Sequence, residues 1–211
     1  MTAPLVIIGS GFAAYQLLKT LRRQNTEIAI QVFTADSGDE YNKPDLSHVF
    51  TRQQRADDLI SLKGEAFARL HQIELFANSR VEDIDAKKRS ITVNGTHYPY
   101  SKLVLATGAK AFIPPLKGDA ADEVLTLNSL QEYRDSEQQI SASSRILIMG
   151  GGLIGVELAM DLSASGKEVS LSQRMKLEIS MLTSISPRGL RDISLIDTFA
   201  FLILSRVLAN R

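Results

Sequence analysis

An open α/β fold built around parallel strands is what this sequence predicts, and three patterns carry the prediction. A glycine-rich turn, Gly9-Ser10-Gly11-Phe12-Ala13-Ala14, stands between a short apolar run and a helical pattern. A second, Gly150-Gly151-Gly152-Leu153-Ile154-Gly155, repeats the arrangement in the other half of the chain. Between them Asn94-Gly95 joins two alternating segments, the strongest short hairpin signal. Together they predict a Rossmann-like domain with an inserted antiparallel hairpin layer, followed by the start of a second one. The expected boundaries are 1–114 for the first dinucleotide-binding domain, 115–172 for a partial second domain, and 173–211 for a tail outside the pattern.

Residues 4–8 are a continuous apolar run, as a strand buried on both faces requires. Ala14, Leu17, Leu18 and Leu21 then recur at helical spacing, and Arg22-Arg23 suits a helix C-terminus. Residues 28–33 form the next strand and close a β-α-β unit. The stretch 37–50 is rich in turn formers, 56–70 reads as helical, and 73–85 as strand and turn. Residues 90–93 and a strand from Thr96 flank the Asn-Gly turn. Residues 102–106 form another buried strand, and Pro114-Pro115 marks a crossover. The opening pattern returns with a strand over 145–149, a helix over 156–163, a capping Gly166 and a strand over 167–171. After about residue 172 it decays.

Composition narrows the function. The 211 residues are 44% hydrophobic, enough for one sizeable core or two small ones. Lys plus Arg (24) equals Asp plus Glu (24), so no global basic field invites nucleic acid. Cysteine is absent, which excludes a thiol redox pair within these residues and suits a cytoplasmic protein. His48, His71 and His97 are scattered, so no metal site is expected. The N-terminal apolar run lacks the basic start and cleavage site of a signal peptide. No apolar run approaches the ~20 residues that span a bilayer, so a soluble chain with no membrane partner is expected.

Each fingerprint has a physical logic. In the first, Gly9 permits the tight turn, Gly11 leaves room for a pyrophosphate, and Ala14 lets helix and strand pack closely. The helix N-terminus at Ser10-Gly11-Phe12-Ala13 offers free N–H groups to phosphate. Asp36, just past the second strand, reads as a ribose ligand or as a plain loop aspartate. In the second fingerprint Gly150, Gly152, Leu153, Ile154 and Gly155 hold the equivalent places. Glu157 either approaches a nicotinamide or complements the helix dipole. Two such sites in one chain suit a flavoprotein that takes hydride from one cofactor onto another.

The run Asp39 to His48, with Tyr41-Asn42-Lys43-Pro44-Asp45-Leu46-Ser47 at its centre, and the strand end Leu103 to Ala109 resemble the two-dinucleotide-binding flavoproteins. Within that family the resemblance is to the rubredoxin and ferredoxin reductase branch, and it covers about residues 4–171. It implies FAD at the first fingerprint and NADH as substrate at the second. Lys43 and Pro44 are then the catalytic residues, lying against the flavin, where a cation favours the reduced, anionic ring. Arg80-Val81 begins a segment whose backbone contacts adenine, and Ala106, Thr107 and Gly108 form a second FAD contact. The implied acceptor is a rubredoxin-like protein, flavorubredoxin, in nitric oxide detoxification. Absence of cysteine agrees with this branch and speaks against disulfide reductases.

Members of this family run well past residue 211. Where a carboxylate for the NAD ribose is expected, the chain has Ser172, Gln173 and Arg174. Arg174 admits a preference for NADPH, while a truncated or frame-shifted continuation accounts for both the missing carboxylate and the patternless tail. The alternatives are an inactive FAD-holding fragment, another NAD(P)H-dependent ferredoxin or rubredoxin reductase, and a flavin oxidase or monooxygenase. The Tyr41–His48 run argues against the last.

Overall fold

A computed structural model describes residues 3–24, 27–116, 121–174, 180–185 and 201–204. They divide into two compact units, Met1–Asn42 with Ile60–Ala109, and Lys43–Leu59 with Lys110–Arg211.

In the first unit β1 (Leu5–Ile8) is buried at every residue. It is followed by α1 (Phe12–Gln24), β2 (Ile30–Phe33), β3 (Glu40–Tyr41), β4 (Ile60–Leu62), α2 (Gly64–Leu70) and β5 (Glu74–Phe76). A meander, β6 (Asp83–Asp85), β7 (Ser90–Val93) and β8 (Thr96–Pro99), precedes β9 (Lys102–Leu105). The main sheet has the order β5-β2-β1-β9, and every pairing in it is parallel. Alternation along β1 splits the core in two. Leu5 and Ile7 pack with Ala14, Tyr15, Leu18 and Phe67 from α1 and α2. Val6 and Ile8 pack with Phe33, Ile91, Val93 and Tyr100, on the side of the meander. Each of these buried aliphatic side chains contributes about 1.5–3 kcal/mol. The meander turns at Asn94 (φ 49°) and Gly95 (φ 73°), the pair of positive angles that a two-residue hairpin turn needs.

Arg22 does more than complement the dipole of α1. Its guanidinium donates to the carbonyls of His71 (2.6 Å), Ile28 (2.8 Å) and Gln72 (2.8 Å), so one side chain ties α1 to the end of α2 and the approach to β2.

The sequence expectation of one helix over 56–70 is corrected. The chain instead forms a 3₁₀ turn (Ala56–Leu59), then β4, then α2. Ile60 and Leu62 pair with Tyr41 and Glu40, a period-two pattern inside what reads as helical composition. At Gly64 a Cβ would stand 2.5 Å from the Ser37 carbonyl oxygen, so the chain passes where only glycine fits. The Gly64 amide donates to Asp39 there (2.8 Å), and the helix restarts.

The second unit opens with a 3₁₀ helix (Lys43–His48) and the turn at Ala56–Leu59. It continues as β10 (Leu125–Thr126), α3 (Leu130–Ala142), β11 (Arg145–Met149), α4 (Leu153–Ala164) and β12 (Glu168–Arg174). Helix α3, for which the sequence reading held no expectation, begins at Ser129, whose hydroxyl accepts from the Glu132 amide (3.2 Å). β11 and β12 pair in parallel, completing the second β-α-β unit around α4. Two further strands, β13 (Ser180–Ile185) and β14 (Phe201–Leu204), fall in the segment read as patternless. They run antiparallel to β12 and β11, unlike the parallel strands that continue a doubly wound sheet. The rest of that segment lies outside the described residues. No helix among the described residues is long and apolar enough to cross a membrane.

Candidate dinucleotide sites

At the first fingerprint the chain leaves β1 through Gly9, whose φ of 108° favours glycine. A Cβ there would meet the Ala106 carbonyl oxygen at 2.2 Å and the Thr107 Cα at 3.3 Å. The turn is therefore packed directly onto the end of β9, bringing together Gly9, Ala106 and Thr107. Gly11 is the opposite case, because a Cβ there would meet nothing within 4 Å. Its freedom from packing leaves open surface in front of the first turn of α1, where N–H groups lie uncommitted to the helix. Phe12 and Ala13 are exposed beside it, while Ala14 is buried against β1. Gly108, with φ of 70°, also borders open space.

Below this turn an open cavity of ≈ 430 Å³ is lined by Ile8, Val81, Glu82, Asp83, Ile84, Leu105 and Thr107. It sits at the carboxyl ends of parallel strands β1 and β9, where open α/β sheets bind ligands. Val81 and Thr107 share its wall; Glu82, Asp83 and Ile84 are additions that the sequence pattern did not single out.

Asp36 is held in place. Its Oδ1 lies 2.8 Å from the Ser10 hydroxyl and 2.7 Å from that of Thr34, and accepts from the Gly38 amide at 2.9 Å. The two hydroxyls are themselves 2.8 Å apart, so two protons serve three edges. The carboxylate is the strongest acceptor of the three, and both protons turn toward it. Ser10 and Thr34 are buried, so they fix the orientation of an exposed carboxylate. The Tyr15 hydroxyl donates to the Gly38 carbonyl nearby. Burial pushes that hydroxyl far above the usual phenol range, and the charges of Asp36, Glu40 and Asp39 add to the shift.

The second fingerprint follows β11. Gly150 takes φ of 117° and its amide donates to the Ser172 carbonyl at 2.8 Å, closing the turn onto β12. Gly152 caps α4, whose first intrahelical bond runs from the Val156 amide to the Gly152 carbonyl (3.0 Å). Gly155 is buried, whereas Leu153 and Ile154 are exposed at the helix start.

Lys43 and Pro44 belong to this second unit, and Gly9 and Asp36 to the first. The Lys43 ammonium donates to the Asn128 Oδ1 at 2.7 Å. Partial burial pulls its proton affinity below that of an ordinary lysine, and the Glu132 charge opposes the shift. Glu157 accepts from the Ser47 hydroxyl at 3.1 Å. Asp161, one turn further along α4, accepts from the backbone amides of Phe50 (2.7 Å) and Thr51 (3.3 Å) and from the Thr51 hydroxyl. Among the described residues no group of His, Cys, Asp or Glu is arranged to hold a metal ion.

Comparison with known proteins places this geometry. The profile of the family described as pyridine nucleotide-disulphide oxidoreductase matches residues 3–186. A protein of Vibrio vulnificus (strain YJ016) named nitric oxide reductase FlRd-NAD(+) reductase is 56% identical over 171 residues, covering 81% of this chain and 45% of its own. A protein of the same name from Salmonella arizonae is 49% identical over 187 residues, covering 89% and 48%. The chain spans about half the length of the curated relatives it matches. Among solved structures, a ferredoxin reductase from Rhodopseudomonas palustris superposes with a TM-score of 0.70 at 26% identity, over 80% or more of this chain (81%) and 42% of that one.

Proposed function

Because the chain belongs to the pyridine nucleotide-disulphide oxidoreductase family, we propose that it binds FAD at the first fingerprint and NADH at the second. A whole protein of this kind would pass electrons from NADH through FAD to the rubredoxin domain of a flavorubredoxin, in nitric oxide detoxification. The name carried by relatives at 49–56% identity supports that choice of acceptor. In this reading the first domain covers 1–114 and a partial NAD domain covers 115–172. A cytoplasmic location is the matching proposal.

The observation that carries the proposal is the contrast between Gly9 and Gly11. One glycine is needed by the protein's own packing; the other faces open space that the protein does not use. A pyrophosphate needs that space, together with the α1 N-terminus beside it. The cavity at Val81 and Thr107 and the oriented Asp36 carboxylate suit the adenosine half of the same ligand. The residues therefore fit a dinucleotide.

FAD held by these residues would supply hydride acceptance from NADH and one-electron delivery to an iron centre. The chain supplies the rest. Gly9, Ser10, Gly11, Phe12, Ala13 and Ala14 form the phosphate turn, and Ala106, Thr107 and Gly108 the opposite wall. Asp36 accepts from the ribose, and Lys43 and Pro44 face the flavin. Gly150, Gly152, Leu153, Ile154, Gly155 and Glu157 serve the nicotinamide dinucleotide.

The test is direct. The purified chain is mixed with FAD, separated from free flavin, and titrated with NADH without oxygen. Yellow protein bleached by NADH is the expected result. Colourless protein sinks the proposal, and yellow protein that NADH leaves unbleached removes its reductase half.

A further inference from the structure

Asp161 is a buried carboxylate, 7% exposed, that neither glycine fingerprint requires. None of the ion pairs among the described residues includes it. Burying a carboxylate is costly unless hydrogen bonds replace its water. Here the replacement comes from one short stretch, the Phe50 and Thr51 amides and the Thr51 hydroxyl. Four residues earlier, on the same face of α4, Glu157 accepts from Ser47, whose hydroxyl also lies 2.9 Å from the Pro44 carbonyl. Ser47 is 6% exposed, so this contact is sheltered as well. The helix that opens at the second fingerprint thus grips the 43–51 segment at two points one turn apart.

We propose that Asp161 is a positioning residue: through Phe50 and Thr51 it fixes the segment bearing Lys43 and Pro44 to α4, and so sets the rate at which NADH reduces the flavin. This rests on the reading of the preceding section, in which Lys43 and Pro44 face the flavin and α4 serves NADH. The physical reason is geometric. A reacting pair held by two separate pieces of chain loses rate steeply when one piece drifts, even though each ligand still binds. Backbone amides are well suited as the held groups, because they fix the course of the segment and not merely one side chain.

The experiment uses the full chain and the variants Asp161→Ala, Asp161→Asn and Lys167→Met. Lys167 serves as a control, since its ammonium donates to the carbonyls of Ser141 and Ser143, which lie outside the 43–51 segment. Hydrogen exchange is read first, without cofactor. In Asp161→Ala the Phe50 and Thr51 amides should exchange about tenfold faster or more. In FAD-loaded protein the same variant should slow flavin reduction at saturating NADH by about tenfold, with the apparent NADH affinity moving less than about twofold. Asp161→Asn, whose carboxamide oxygen still accepts from Phe50, should restore most of both. Lys167→Met should alter neither. Unchanged amide exchange in Asp161→Ala overturns the proposal, and so does lost protection with an unchanged reduction rate. A wild-type chain that takes up no flavin defeats the functional reading alone, because the amide measurement still decides whether Asp161 holds the segment. If Asp161→Ala does not fold, the comparison of Asp161→Asn with wild type carries the decision, a normal rate with unprotected amides counting against it.

Discussion

Gly9 lies so close to Ala106 that a Cβ at position 9 would stand 2.2 Å from the Ala106 carbonyl oxygen. Since the contact is backbone, no side chain can swing away. Gly9→Ala should therefore cost about 2–4 kcal/mol, through the clash and the φ of 108° together. Gly11→Ala meets nothing within 4 Å and should change stability by less than about 1 kcal/mol. It should nevertheless weaken FAD binding by about tenfold or more, equivalent to about 1.4 kcal/mol. Urea melts and flavin titration of the two variants separate the roles. Equal loss of stability in both would show that the turn has only one kind of glycine.

Asp36 offers a second comparison. Ser10→Ala removes one buried hydroxyl from its Oδ1 and leaves the Thr34 and Gly38 donors in place. Stability should fall by about 1 kcal/mol. If Asp36 receives the ribose, Ser10→Ala and Asp36→Ala should both weaken FAD binding, the latter more. Unaltered FAD affinity in Asp36→Ala would leave that carboxylate with a purely structural role.

Arg22→Met keeps the apolar stem and deletes the three carbonyl contacts of the guanidinium. Charged hydrogen bonds of this kind suggest a loss of about 2 kcal/mol or more. The urea midpoint should drop, with NADH and FAD binding scarcely altered in the folded protein.

Tyr133 predicts an alkaline dependence. Burial pushes its hydroxyl up to about 12, and the charges of Glu137, Asp161 and Asp58 act in the same direction. In the unfolded chain a tyrosine ionises near about 10. The fold favours the neutral form, so this stabilisation is complete below pH ~10 and is lost as pH climbs toward ~12. Tyr133→Phe also gives up the bond to the Gln54 carbonyl (2.7 Å) and should be the less stable protein at neutral pH. The gap between wild type and variant should close as pH rises through that window. Urea midpoints measured at a series of alkaline pH values test it; a gap independent of pH would count against the shift.

Legibility followed the range of the interactions involved. β1 could be read because four consecutive residues are buried on both faces, and the hairpin because Asn94 and Gly95 adopt their φ angles locally. Both fingerprints fall where strand and helix patterns meet. Helix α3 is not legible although Ser129 and Glu132 stand in capping-box spacing, since after Leu130 and Tyr133 its inward face carries Ser136 and no large apolar residue until Ile140. The 56–70 segment misled because helix-forming residues there answer to a distant constraint, the passage of Gly64 against Ser37. Asp161 had no signature at all, because its partners are largely backbone amides, which every residue but proline carries.

The parallel placement of β1 between β2 and β9 has a consequence for how the chain is made. Its pairing with β2 closes within a short stretch of sequence, whereas its other edge waits for Lys102–Leu105, about a hundred residues later. At ribosomal speeds of about 5–20 residues per second, that edge stays open for roughly 5–20 s. During this time Leu5, Val6, Ile7 and Ile8 present an apolar strand with an unpaired side, while the β6–β8 meander, whose strand pairings are all local, is still emerging. Newly made chains should accordingly lean on chaperones for that interval, and slower translation upstream of residue 102 should lower the soluble yield.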